Sequence, residues 1–145
     1  MKAYLDTNVL IAASIDDHQH HLQAFDLVEA VKRGAMKGCI STHGLAEFYS
    51  VITRAPFVPR VHAAEANRFL EENILPYFEL VELTREDYRS VIRSCADASL
   101  IGGLVFDALH LQSAVKSKCD RVYTFNVKDF RTLAPPSLAG KIAAP

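Results

Sequence analysis

No apolar stretch in this 145-residue chain approaches the roughly 18 residues that a membrane-spanning helix requires, so no membrane span is expected. Nor is there a secretory signal pattern, because Asp6 interrupts the first apolar run almost at once. Positive charge is not in excess: 16 Lys and Arg face 17 Asp and Glu, for a formal net charge of −1. That balance argues against a protein that grips nucleic acid by bulk charge. It leaves open an acidic catalytic centre ringed by a few local bases. The three cysteines, Cys39, Cys95 and Cys119, are odd in number and far apart, without the close pairing of a zinc or redox motif. Reduced thiols and a cytoplasmic location are the expectation. A phosphate-cradling glycine loop and a serine-centred nucleophile elbow are also missing.

The composition that is present, 50% hydrophobic and 23% charged, is that of an ordinary globular domain. There is no repeat, no low-complexity tract and no internal linker. Four β-like runs, Lys2–Asp6, Lys37–Thr42, Tyr77–Leu83 and Arg121–Phe125, alternate with helical patterns. The helical patterns are Asn8–Ser14, His18–Arg33, His43–Arg54, His62–Asn73, Glu86–Ala98 and Leu104–Lys118. Such alternation predicts parallel βαβ units and a three-layer α/β/α sandwich around a mostly parallel sheet. Thr84 opens Thr-Arg-Glu-Asp, an N-cap with acids in the first turn. Residues 1–133 read as one domain. Pro135-Pro136 ends the pattern, residues 134–145 read as a C-terminal tail, and Ala139–Pro145 as loosely held. Three strands stop on or just before a small polar or acidic residue: Asp6, Ser41-Thr42 and Asn126. Ligands of open parallel sheets bind beyond the carboxyl ends of the strands, so Asp6 and Asn126 are expected to share one crevice.

Four carboxylates invite attention, each with a plain alternative. Asp107 lies beside an apolar stripe of Leu104, Ala108, Leu111 and Val115, where an unpaired charge is costly. Either it pairs with His110 or a distant base, or it coordinates a metal. Asp6 precedes Asn8-Val9-Leu10-Ile11 and has the position of a helix N-cap. Glu47 falls at the edge of the apolar face formed by Leu45, Phe48, Tyr49 and Ile52, which periodicity assigns to the surface. Asp129 suits the first turn of a short helix capped by Asn126. His18, His20 and His21 lack a familiar ligand spacing and read as a polar helix entry after Asp16-Asp17. Cys39 and Cys119 read as small core residues.

Together the acids form a pattern. The segments Leu5-Asp6-Thr7-Asn8-Val9-Leu10, Glu47 after Gly44-Leu45-Ala46, Phe106-Asp107-Ala108-Leu109-His110, and Thr124-Phe125-Asn126-Val127-Lys128-Asp129-Phe130 resemble the four acidic motifs of PIN-domain ribonucleases. In particular they resemble those of the VapC-like toxins of bacterial and archaeal toxin–antitoxin pairs. The resemblance runs from Met1 to about Leu133, and the Glu47 motif is its least specific part. It implies that Asp6, Glu47, Asp107 and Asp129 are the catalytic acids, with Thr7, Asn8, Thr124 and Asn126 in support. It also implies a homodimer, with His43–Arg54 and His62–Asn73 as candidate interface helices, and a cognate antitoxin that blocks the site. The apolar segment Pro56-Phe57-Val58-Pro59 is either partner surface or a loop anchor.

Cutting a phosphodiester needs an activated water and a counter-charge for the phosphate, and a hard divalent cation supplies both. Mg2+, or Mn2+, prefers oxygen ligands. Asp6, Asp107 and Asp129 are therefore expected as metal ligands, directly or through water, and Glu47 as a ligand or as the residue that orients the attacking water. For the RNA, Lys128, Arg54 and Arg131 are the leading phosphate contacts, with Arg60 and Arg68 behind them; the plain alternative for each is solvated surface charge. Competing readings are a solitary PIN-fold nuclease, a non-catalytic RNA- or protein-binding module, and a Rossmann-like metal-dependent phosphatase with Asp6 as nucleophile. The phosphatase reading lacks the usual second aspartate, because Asn8 stands two residues on.

Overall fold

The computed structural model describes all residues, 1–145. Five strands form one sheet: β1 Lys2–Leu5, β2 Lys37–Ser41, β3 Phe78–Val81, β4 Arg121–Tyr123 and β5 Ile142–Ala143. Every pairing is parallel, and the order across the sheet is β3-β2-β1-β4-β5. The helices are α1 Thr7–Ser14, α2 His21–Lys32, α3 Thr42–Arg54, α4 Ala63–Phe69, α5 Arg85–Asp97, α6 Leu104–Ser117, α7 Val127–Leu133 and α8 Pro136–Ala139. A π-helical turn, Leu70–Ile74, continues α4.

Strand side chains alternate between two cores, as the pleat requires. Ala3, Leu5 and Ile40 join Val9, Leu10, Val28 and Phe48 on one face. Tyr4, Cys39 and Val122 join Leu111, Ala114 and Phe130 on the other. Helices thus cover both faces, and the three-layer expectation holds. Strands covered on both faces lose their polar-out alternation, which is why they read as short apolar runs. Cys39 and Cys119 are fully buried, and all three cysteines are free thiols. Gly38 is required for packing: a Cβ there would come within 2.6 Å of the Phe78 ring.

Two expectations are corrected. The second helix begins at His21, not His18; before it the chain turns twice, with His18 N–H bonded to Ile15 O and His21 N–H to His18 O. The C-terminal segment is not a loose tail. Pro136 opens α8, Leu138 and Ile142 are 2% exposed, and β5 extends the sheet beside β4. Two buried apolar side chains and a strand pairing outweigh the proline signal. The cap at Thr84 is a full capping box: Thr84 Oγ accepts from Asp87 N–H at 3.1 Å, and Asp87 Oδ2 accepts from Thr84 N–H at 2.8 Å.

Strand order reverses its direction of growth at β1: β2 lies on one side and β4, which comes last but one in the chain, on the other. A crevice opens where two such neighbours send their following segments apart. Asp6 ends β1 and Thr124 ends β4, so both stand at that point.

Candidate active site

Asp6 is 5% exposed and uses both carboxylate oxygens. Oδ1 accepts from Thr7 N–H at 2.7 Å, capping α1, and Oδ2 accepts from Thr124 Oγ–H at 2.8 Å. Asp6 thus caps α1 and, through its other oxygen, is tied to the end of β4. Thr124, itself fully buried, has its Oγ fixed by Asn126 N–H at 3.0 Å and Asn8 Nδ2 at 3.3 Å. Asn8 Oδ1 in turn accepts from Phe125 N–H at 3.2 Å. The loop after β4 is thereby tied to the start of α1. Asn126 contributes through its backbone; its side chain does not cap α7.

His110 is the residue that sequence reasoning passed over. It was expected at most to pair with Asp107, yet its ion pairs are with Asp6 and Glu47, and it is 1% exposed. Its Nε2 lies 3.1 Å from Glu47 Oε1, 3.4 Å from Asp6 Oδ1 and 3.3 Å from Thr7 Oγ. Nδ1 lies 2.7 Å from the hydroxyl of Tyr4. With two carboxylates before it, Nε2 carries a proton. Burial alone pushes the His110 imidazole down, but the Glu47 hydrogen bond and the charges of Asp6, Glu47 and Asp107 outweigh it, and the net direction is up. A histidine three residues after Asp107, on a face it shares only with small and apolar residues, was the available signal. Periodicity misassigned it because the buried face of α6 runs through Leu109, His110, Ser113, Ala114 and Ser117. The serines there satisfy themselves on backbone carbonyls, Ser113 on Leu109 O and Ser117 on Ala114 O.

Glu47 is half-buried, not a surface glutamate. Ser41 at the end of β2 caps α3, its Oγ accepting from Gly44 N–H at 3.0 Å, and this starts the helix directly over the sheet edge. Gly44 permits the close approach: a Cβ would lie 2.9 Å from Ser41 Oγ and 3.5 Å from both the His110 ring and Thr7 Oγ. Burial raises the Glu47 carboxyl, but hydrogen bonding and charge from His110 more than reverse this and hold it below its ordinary range. Asp107 has no such partner. Burial first, then the Asp6 charge and more weakly those of Glu47 and Asp129, push it up to about 6, against an opposing pull from His110. Burial likewise raises Asp6, against the His110 charge and the Thr124 hydrogen bond.

Asp129 stands exposed in the first turn of α7, without a hydrogen bond, near enough for its charge to act on Asp107. Lys128 is exposed beside it. Arg131 is less free than expected, since Nη2 donates to Ile142 O at 3.0 Å and so secures β5. Arg60 donates to Arg54 O at 3.1 Å, away from the acids, and Arg68 lies on α4. Arg54 lines a 630 Å³ cleft together with His43, Glu47, Ser50, Phe106 and Asp107. His43 places Nδ1 2.7 Å from Ser41 Oγ and its ring edge-on to His110. Burial, then the neighbouring His110 charge, lowers it to about 4, so it is neutral; its Nε2 is buried without a partner. The other histidines stay clear of the site: His20 stacks on Phe125 at 4.5 Å, and His21 Nδ1 bonds Ala12 O at 2.9 Å.

Donor atoms of Asp6, Glu47 and His110 lie within 4.8 Å of one another. Because the His110 Nε2 proton is engaged with Glu47, the oxygens are the available donors, and Asp107 adds a carboxylate with no hydrogen-bond or ion-pair partner. Clustered carboxylates that lack neutralising bases suit a hard, oxygen-seeking cation. The donor set fits Mg2+ or Mn2+ better than a thiolate- or imidazole-seeking metal.

A parallel sheet in this order, with acids from the ends of β1, α3, α6 and α7 at its carboxyl edge, defines a PIN domain. The chain belongs to that family, whose sequence model matches residues 3–134. Among characterised relatives, it is 32% identical over 116 residues to ribonuclease VapC27 of Mycobacterium tuberculosis, covering 80% of this chain and 79% of that one. It is 30% identical over 104 residues to ribonuclease VapC40 of the same species, covering 72% of each. Solved structures with the same fold include VapC20 of M. tuberculosis, a sarcin-ricin loop cleaving toxin, with a TM-score of 0.69, 14% identity and coverage of 88% of this chain and 92% of that one. VapBC2 from Rickettsia felis, bound to a promoter DNA fragment, gives a TM-score of 0.67 at 19% identity, covering 100% and 99%.

Proposed function

We propose that this protein is an Mg2+- or Mn2+-dependent endoribonuclease and the toxin of a toxin–antitoxin pair. The observation that carries the reading is the clustering of acids at the carboxyl edge of the sheet: Asp6 and Glu47 both meet His110, and Glu47 and Asp107 line one cleft, where burial and then the Asp6 charge push Asp107 up to about 6. Relatives named as ribonucleases over most of their length support RNA as the substrate.

Asp6, Asp107 and, at the rim, Asp129 would hold the ion, with Glu47 as a further ligand or as the group that orients water. A hard divalent cation supplies positive charge to the phosphate and makes water more acidic. The residues of the chain do the positioning. Thr7 N–H and Thr124 Oγ–H fix the plane of the Asp6 carboxylate. His110, anchored by Tyr4, fixes Glu47 and keeps it ionised, so that Glu47 is available as a ligand or as a hydrogen-bond acceptor that orients water. Lys128 and Arg54 offer phosphate contacts on either side. A phosphatase mechanism is disfavoured, because Asn8 stands two residues after Asp6, where such enzymes usually carry a second aspartate.

An antitoxin partner is supported by the solved relatives, which include VapBC2 and FitAcB from Neisseria gonorrhoeae, the latter with a TM-score of 0.63 at 17% identity, covering 98% of this chain and 95% of that one. A homodimer through α3 and α4 accompanies this reading. No helix is long and apolar enough to cross a membrane.

The test is cleavage of cellular RNA by purified protein with Mg2+ or Mn2+, beside Asp6→Asn and a chelator-treated sample. Cleavage is expected to vanish in both controls, and full cleavage in excess chelator would overturn the metal mechanism. Expressed alone in cells, the unaltered chain is expected to arrest growth and Asp6→Asn to leave it unaffected. Growth that continues while cellular RNA is cut removes the toxin role and leaves a solitary nuclease.

A further inference from the structure

The cleft beside the acids holds a side chain that neither the fold nor the acidic site uses. Phe106 is 53% exposed, packs into none of the three hydrophobic clusters and pairs with no other ring. It immediately precedes Asp107 in the first turn of α6, so its ring is carried on the same rigid turn as that acid. Across the cleft α3 presents Glu47, Ser50 and Arg54, spaced three and four residues apart and therefore on one face. Arg54 is the one guanidinium or ammonium lining this cleft, and it makes no ion pair.

We infer that Phe106 and Arg54 form a nucleotide subsite next to the acids, Phe106 stacking on a base of single-stranded RNA and Arg54 gripping the adjoining phosphate. This rests on the nuclease reading and adds the group that recognises a base. An exposed ring on a rigid helical turn stacks on any base, because every base has a π-face, and an arginine fork matches phosphate oxygens two at a time. Arg54 follows Glu47 by seven residues, about 10 Å along the helix, which separates the phosphate it holds from the one at the acids. An apolar peptide in the cleft would cover Asp107 without giving it a partner, which weighs against that occupant. A cationic peptide is the competing occupant.

The test separates binding from cutting. Protein carrying Asp6→Asn, in magnesium, is titrated with fluorescently labelled oligoadenylate and with a ribose-phosphate oligomer of the same length that lacks bases. Adding Phe106→Leu is expected to weaken oligoadenylate binding about tenfold and to leave the baseless oligomer unchanged. Phe106→Trp restores affinity, and Arg54→Gln weakens both oligomers and lowers the salt slope by about one. Thermal melts check that each variant folds. Equal loss for both oligomers with Phe106→Leu, no loss for either, or no binding by the folded parent overturns the subsite; a basic peptide that binds in a Phe106-dependent way in those cases identifies the cleft as a protein-docking site. Base-dependent binding through Phe106, without any cleavage by the unaltered chain, would remove the nuclease reading and keep the subsite. Cleavage indifferent to Phe106 would do the reverse.

Discussion

Asp107 and Glu47 are both half-buried carboxylates, yet the fold treats them oppositely. Glu47 is held below its ordinary range because His110 meets it at 3.1 Å, while Asp107 rises to about 6 through burial and three neighbouring acids. On the proposed metal site, the raised carboxyl of Asp107 is a stability cost carried for function. Asp107→Asn keeps the shape and removes the charge. It is expected to abolish cleavage and yet raise the melting temperature of chelator-treated protein by about 2 to 4 degrees, equivalent to about 1 kcal/mol. A lower melting temperature in a thermal scan would show that Asp107 has a stabilising partner after all. At this scale the sequence was legible for identity and not for environment. Asp6, Glu47 and Asp107 carry motif signals, but nothing local to them shows that His110, over a hundred residues from Asp6, lies 3.4 Å from that carboxylate.

Among the elements, α5 and α6 are joined by a single polar residue. Asp87 closes the capping box of α5 and reaches across to α6, accepting from Lys116 Nζ at 2.8 Å and from Gln112 Nε2 at 3.2 Å. The Lys116 hydrogen bond, then the Thr84 N–H, hold its carboxyl well below the usual aspartate range. A carboxyl depressed in the folded state stabilises fully above its unfolded pKa, about 4, and loses that contribution as the pH falls below it. Asp87→Asn is therefore expected to cost about 1 kcal/mol at neutral pH, the size of a lost cap, and progressively less below about pH 4. Urea midpoints at neutral pH and at about pH 3 check this; a gap that does not narrow in acid would assign the loss to packing. The cap itself was readable from Thr-Arg-Glu-Asp, because capping acts within one turn. The start of α2 was not, since the turns at residues 15–21 depend on His21 bonding back to Ala12.

For the molecule as a whole, the C-terminal segment is part of the sheet. Ile142 is 2% exposed, its carbonyl accepts from Arg131, and β5 covers the edge of β4, whose far end carries Thr124. Ile142→Ala is expected to destabilise the fold by about 2 kcal/mol, the low end for such a truncation because β5 is a short edge strand. An unchanged urea midpoint would show the segment to be dispensable. The same strand gives Arg131 a structural partner, Ile142 O, alongside its exposed charge.

The alternation of strands and helices, the acids at strand and helix starts and the Thr84 cap follow from the sequence alone, because periodicity, capping and motif chemistry are properties of neighbouring residues. Which acids are paired, which helix face is buried and where the last strand goes were decided by tertiary structure. The reason is physical: burial and charge compensation depend on distance in space, and the parallel sheet brings Tyr4, Asp6, Glu47, His110 and Thr124 together only when β1 is placed between β2 and β4.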